Sequence, residues 1–403
     1  MRLLYLCHRI PYPPDKGDKI RSYHQVEYLG RRHEVDLFSL VDDPSDLIHL
    51  PGLTKLVRSV TVERLRPRRA RLASLSGLLT GEPMSVVYFR NRSLLRAVRR
   101  ALATGAYDLA MVFSSAMASY LNGWEGPRAL DFVDLDSAKW LAYADQLGRS
   151  PLGLVYRREG RSLQKLERRL AERAELTLFC APREEQDLRS FSNPRNALTV
   201  PNGTDLEYFT PGTAELPSID LIFTGAMDYR ANVDAVVWFA RAVLPLVRAR
   251  RGPTELCIVG SNPARSVRAL GRDPEITVTG RVPDVRPYLR SALVSVAPLR
   301  VARGIQNKVL EALACGLPVV ASPAALGGLG EARGVLVGPT PEEQADLICR
   351  LLSDPPLRRE LARAGRTFVA ENFRWEAQLE RIDRLLESAA SSGAVNSAGE
   401  TIR

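Results

Sequence analysis

The residues best suited to chemistry lie close together, at Gly304, Lys308 and Glu311. They fall in the run Ala297-Pro-Leu-Arg-Val-Ala-Arg-Gly-Ile-Gln-Asn-Lys-Val-Leu-Glu-Ala-Leu-Ala-Cys-Gly-Leu-Pro-Val-Val-Ala321. This pattern predicts a strand end, a glycine loop, a helix and the next strand. Gly304 lets the amides at the helix start approach an anion, and the helix dipole adds attraction for phosphate. Lys308 and Glu311 are three residues apart and lie near one helix face, so a cation and a carboxylate can reach one ligand together. Lys308 suits a diphosphate, and Glu311 can accept both hydroxyls of a ribose. A surface helix carrying an i, i+3 ion pair is the plainer alternative.

Three further clusters stand out. In the first loop, Gly17 sits beside Asp15, Lys16, Asp18, Lys19 and Arg21, and two of the chain's six lysines are here. Its backbone and cations suit an anionic ligand, whereas a charged loop entering a helix capped by Asp18 is the ordinary reading. Asp131, Asp134 and Asp136 crowd the end of one apolar run. One of them is expected to cap the helix near Ser137, and Asp134 is the candidate to orient or deprotonate an incoming hydroxyl. The run Arg64-Leu-Arg-Pro-Arg-Arg-Ala-Arg71 and Arg92, Arg96, Arg99 and Arg100 form a basic surface that fits anionic lipid headgroups or is merely solvated. It lacks the aromatic interleaving of a nucleic-acid binder. Four histidines make a histidine-based metal site a poor fit; His8, closing the first strand, is kept as a ligand contact.

The elements that must position these residues are short apolar runs alternating with helical patterns. Leu3–Cys7, Val35–Leu40, Leu56–Val62, Leu109–Phe113, Ala129–Val133, Leu176–Cys180 and Ala197–Val200 read as strands of a parallel sheet covered on both faces. A turn-rich connector, 201–217, precedes a second set: Leu221–Thr224, Leu256–Val259, Ile276–Val278, Leu293–Ala297, Val319–Ala321 and Val335–Val337. Two doubly wound α/β domains are expected, 1–200 and 218–372, with the working site in the cleft between them. Residues 373–390 are expected to form a helix packing back on the first domain, and 391–403 to be disordered.

The 403 residues are 45% hydrophobic and 25% charged, which excludes disorder and small disulfide scaffolds. The net charge of +10 is concentrated in residues 1–200, which carry +9 and so should meet something anionic. Five widely spaced cysteines and no signal peptide suggest reduced thiols in a cytoplasmic protein. The uncharged stretch 312–330 is broken by Gly316, Pro318, Pro323, Gly327 and Gly328, against a membrane span.

The 297–321 block, Val200-Pro-Asn-Gly-Thr-Asp-Leu-Glu-Tyr-Phe209, Ile222-Phe-Thr-Gly-Ala-Met-Asp-Tyr229 and Thr277-Val-Thr-Gly-Arg-Val282 resemble, in order, blocks of the retaining glycosyltransferases of family four, which have the GT-B fold. More narrowly, Pro11–Arg21, Asp131–Trp140 and Gly304–Glu311 resemble the sugar transferases found with PEP-CTERM/exosortase exopolysaccharide systems. The resemblance implies two Rossmann-like domains and retaining transfer of a sugar from a nucleotide-diphosphate donor to a growing, lipid-linked glycan at the inner leaflet. Two complete α/β domains argue against the metal-dependent GT-A fold, so neither metal nor cofactor is expected. The donor would meet Glu311 at the ribose, Lys308 at the diphosphate, Arg281 and Val282 at the base, and Gly17, Gly225, Arg303, Gly304 and Ile305 along its length. Asp134 and Lys308 would be catalytic, and Lys16, Lys19, Arg21 and His8 would hold the acceptor. Three positions depart from the family pattern: Arg303 replaces the first motif acid, and Ala226 and Asn232 replace an Arg and a Lys. Two other readings stand beside transfer, a sugar-nucleotide epimerase on the same fold and a donor-binding protein without turnover.

Overall fold

In the first half the strands are β1 (Arg2–Cys7), β2 (Glu34–Val41), β3 (Ser59–Arg64), β4 (Leu109–Phe113), β5 (Arg128–Val133), β6 (Leu176–Phe179) and β7 (Ala197–Thr199). β1 and β4 are continuous apolar runs, with Leu3 through Leu6 wholly buried, as a strand covered by helices on both faces requires, whereas β3 alternates and is only half-buried. All neighbours run parallel in the order β3-β2-β1-β4-β5-β6-β7. The third strand starts at Ser59 and not at Leu56, because the Leu56 amide closes a turn onto Leu53 and Arg58 is the first to join the ladder.

The second half repeats the plan with β8 (Ile219–Thr224), β9 (Leu256–Val259), β10 (Ile276–Gly280), β11 (Ala292–Ala297), β12 (Val319–Ala321) and β13 (Val335–Val337). This sheet is also parallel, in the order β10-β9-β8-β11-β12-β13. Strand order reverses between β1 and β4 in one sheet and between β8 and β11 in the other. A ligand of such a sheet sits beyond the carboxyl ends of the strands at that reversal. The molecule is a computed structural model that describes every residue except 15, 16, 214, 215, 303 and 400–403, with the backbone alone at 17, 18 and 393–399.

The chain divides into two units, Met1–Val200 with the final helix from Gln378, and Pro201–Ala377. The segment 201–217, expected as a linker, starts the second unit. Arg366 of the helix Pro355–Asn372 donates to the carbonyls of Leu206 (2.9 Å), Phe209 and Ala314 (2.6 Å), and Thr204 bridges Arg374. The last helix, Trp375–Gly399, continues into the segment expected to be disordered. In the first unit His33 Nε2 and Asp383 Oδ1 lie 2.6 Å apart and Arg32 pairs with the same carboxylate at 2.7 Å, which ties that helix to the loop before β2.

The stretch 312–330 is the end of a helix, strand β12 and a short 3-10 turn, and among the described residues no helix is long and apolar enough to cross a membrane. No disulfide joins the cysteines; Cys7, Cys180, Cys257 and Cys315 are buried and Cys349 is half-buried.

Candidate functional site

At the reversal in the second sheet, β8 ends at Thr224 and runs into Gly225, while β11 leads through the 298–306 loop into the helix Asn307–Ala314. That helix buries Val309, Leu310, Ala312, Leu313 and Ala314, leaving Lys308 and Glu311 half-buried on the remaining face. Among the described residues the side chain of its cap residue, Gln306, makes no capping bond to the first amides, although the Val309 amide already donates to the Gln306 carbonyl at 2.9 Å. Asn202 donates to Asn307 Oδ1 at 3.1 Å and steadies the helix start.

Lys308 Nζ donates to Asn232 Oδ1 and lies 4.3 Å from the centre of the Phe223 ring. Asn232 is itself held, donating to the Ala226 carbonyl at 2.9 Å. Gly225 is in the left-handed region (φ +146°), and a side-chain carbon there would come within 2.7 Å of Asn232 Nδ2 and 3.2 Å of Lys308 Nζ. Glycine is therefore needed both for the backbone and for the ammonium beside it. Beyond it, a side-chain carbon at Gly260 would collide with the Gly225 carbonyl at 1.7 Å.

Burial pushes the Lys308 ammonium down to about 7, against the attraction of Glu311, and pushes the Glu311 carboxyl up to about 7, against the attraction of Lys308. The two do not close into an ion pair, and among the described residues no donor reaches the Glu311 carboxylate. The plain surface ion pair is thereby excluded. A desolvated cation and a desolvated, uncommitted acid on one helix face mark a place prepared for a ligand.

Other expected donor contacts are placed more modestly. Gly304 has φ +64° and is buried. The Ile305 side chain is buried in the core of this unit, which leaves only its backbone for a ligand. Arg281 is exposed just after β10, and Val282 packs partly against the core. Arg303 lies outside the described residues. Sequence reasoning missed Phe223 and Asn202; it named Asn232 only as a departure from the family. Phe223 and Asn202 fall within the segments 222–229 and 200–209 that resemble the family, but nothing local in the sequence shows what they touch.

The first unit corrects several expectations. Arg21, expected to hold an acceptor, is completely buried: Nε donates to Asp131 Oδ2 at 2.7 Å and Nη1 to the Val200 carbonyl at 2.9 Å. Gln25 also donates to Asp131 Oδ2, at 2.6 Å, and accepts from Tyr5. Lys19, buried, is paired with Asp46 at 2.6 Å. These cations neutralise internal acids, because a buried charge must be paired. His8 lies against Phe89 and Phe113, with ring centroids 5.2 and 6.0 Å away. Gly17 opens the helix Gly17–Gly30; Lys16 lies outside the described residues, as does the Asp18 side chain.

Neither Asp134 nor Asp136 caps the following helix, Asp136–Leu147. Glu184 accepts from the Leu135 amide at 2.8 Å, and Glu167 from the Ser137 amide at 3.1 Å and from its hydroxyl. Asp136 pairs with Lys139. Asp134 follows Val133, a β-branched residue at φ +64°, where the ladder to β6 slips. The Asp131 carboxylate accepts from the Val133 amide at 3.0 Å and supports this strained turn. Asp134 is half-buried, accepts from the Cys180 thiol at 3.1 Å, and is held above the usual carboxylate range by burial.

Two doubly wound parallel units of this order define an α/β protein with the GT-B fold. Residues 218–354, most of the second unit, match the family model described as Glycosyl transferases group 1. A GDP-mannose-dependent monoacylated alpha-(1-6)-phosphatidylinositol monomannoside mannosyltransferase of Corynebacterium glutamicum is 30% identical over 217 residues, 47% of this chain and 55% of that protein. The chain spans about half the length of the curated relatives it matches. Among solved structures, sucrose-phosphate synthase from Thermosynechococcus elongatus has a TM-score of 0.70 at 22% identity, covering 97% of this chain and 100% of the other. HepE of Anabaena in complex with UDP has a TM-score of 0.66 at 15% identity, covering 96% and 100%.

Proposed function

We propose that the chain is a glycosyltransferase that takes a sugar from a nucleotide-diphosphate donor bound by its second unit. The observation that carries this reading is the pair Lys308 and Glu311, desolvated yet not joined to each other, beside Gly225 at the reversal point of the second sheet. Lys308 and the helix-start amides would meet the diphosphate and Glu311 the ribose hydroxyls. When the bond from the anomeric carbon to the diphosphate oxygen breaks, its electron pair leaves with the diphosphate. Lys308 then stabilises the charge that grows there. On the first unit we assign Asp134 to the acceptor hydroxyl, its raised carboxyl suiting a proton acceptor. Retention, independence of metal and a lipid-linked exopolysaccharide acceptor complete the reading; they rest on the resemblance of the sequence blocks. The printed names of relatives and neighbours include both GDP-mannose and UDP, so the first test is a thermal-shift screen with both classes of nucleotide sugar. Transfer or donor hydrolysis supports the proposal, and an isomerised donor or binding without turnover overturns it. Binding without turnover is the outcome that Arg303 in place of the first motif acid would favour.

Glu311→Ala is expected to weaken donor binding through lost charge-assisted hydrogen bonds, each worth about 1.5–3 kcal/mol. Calorimetric titration checks it, and unchanged affinity in a folded variant removes the ribose assignment. The pH dependence follows from the same pair. The diphosphate needs Lys308 protonated, a state lost as pH rises through about 7; the ribose needs Glu311 ionised, a state lost as pH falls through about 7. Donor affinity should therefore peak near neutrality and fall on both sides. In Glu311→Gln the acid-side fall should vanish; a wild-type affinity that stays flat across this range refutes the paired assignment.

A further inference from the structure

Four of the large apolar side chains exposed on the first unit gather on one segment. In the helix Pro67–Ser74 and the short helix Gly77–Thr80, Leu72 is 71% and Leu79 is 92% exposed, with Leu75 and Leu78 exposed beside them. The same segment carries Arg64, Arg66, Arg68, Arg69 and Arg71, all exposed, and none has an ion-pair partner among the described residues. No acidic residue occurs between Glu63 and Glu82. The segment is fixed in place: Arg158 donates to the carbonyls of Gly77 and Glu82, and the Glu159 carboxylate accepts from the amides of Met84 (2.8 Å) and Ser85 (2.9 Å). Those two residues belong to the helix Pro151–Arg173, whose first turn exposes Leu152 and Leu154. Just beyond, Leu154, Arg157, Arg158, Arg161, Ser162 and Lys165 line a cavity of about 310 Å³.

We propose that this face docks on an anionic phospholipid bilayer. Its leucines enter the acyl boundary, its arginines meet the lipid phosphates, and the cationic cavity receives a headgroup. Charge complementarity selects this occupant: arginines without acids require an anionic partner, and clustered exposed leucines require an apolar layer directly beneath that charge. A nucleic acid meets the first need and not the second. The proposal rests on the lipid-linked acceptor only for the reason that docking is useful. Vesicle binding is measured without donor and donor binding without vesicles, so each reading can fail alone.

The test uses the full chain with vesicles of phosphatidylcholine alone or with phosphatidylglycerol added, sedimented at about 0.1 M and about 1 M salt. Two variants accompany it, one carrying R66Q, R68Q, R69Q and R71Q and the other L72S, L75S and L79S; an unchanged melting midpoint shows that each is folded. Wild type should bind only the anionic vesicles, with a fraction retained at high salt. The arginine variant should partition about tenfold less or weaker at low salt. The leucine variant should keep low-salt binding and lose the salt-resistant fraction. The proposal is overturned if wild type ignores anionic vesicles, if the leucine variant behaves as wild type at both salts, or if heparin binds as well as vesicles without dependence on the leucines. The last result would identify a general polyanion surface.

Discussion

Lys308→Ala should lower turnover by about two to three orders of magnitude while changing donor affinity much less, the loss seen when one charge-stabilising donor is removed from a preorganised site. The physical reason is where the ammonium stands. It is desolvated over the Phe223 ring, fixed by Asn232 and beside a glycine that leaves room for it, so it needs no reorganisation when charge develops on the leaving diphosphate. Steady-state kinetics and calorimetric donor binding, measured on the same preparation, separate the two effects. Asn232→Ala should reproduce part of the loss by letting the ammonium move. If kcat is unchanged in Lys308→Ala, another cation neutralises the diphosphate and the assignment of Lys308 falls.

Breaking the Arg21–Asp131 pair should be the most destabilising single change in the first unit. Arg21→Ala leaves a buried carboxylate without its cation, and removing one partner of a buried ion pair costs about 3–5 kcal/mol. The loss spreads because Asp131 also accepts from Gln25 and from the Val133 amide, while Arg21 holds the Val200 carbonyl at the end of the first unit. Urea unfolding followed by far-ultraviolet dichroism should show the midpoint fall sharply in Arg21→Ala. The double variant Arg21→Met/Asp131→Leu should recover much of it, since no charge is left stranded. A midpoint equal to wild type in Arg21→Ala would mean that the pair is not a structural support.

Much of this architecture is legible along the chain. Continuous apolar runs mark inner strands such as β1, β4 and β9 because a strand buried on both faces has no polar side to show, whereas β3 and β10 alternate with polar residues and are less buried. Three-residue spacing puts Lys308 and Glu311 on one helix face whatever surrounds it. The glycine before that helix and the break-up of 312–330 by glycine and proline are equally local.

What the charged residues do was decided only by the tertiary structure. Arg21 meets Asp131 across 110 residues and Lys308 meets Asn232 across 76, distances set by strand order and not by any sequence period. Lys19 and Arg21, expected to hold a ligand, are instead committed to internal acids, and the helix expected to be capped by Asp134 or Asp136 is capped by Glu167 and Glu184 from two later helices. Local sequence sets a side chain's direction and propensity. Whether its charge is buried, paired or left for a ligand depends on which distant segment the sheet brings beside it, because desolvation and pairing are properties of the packed surroundings.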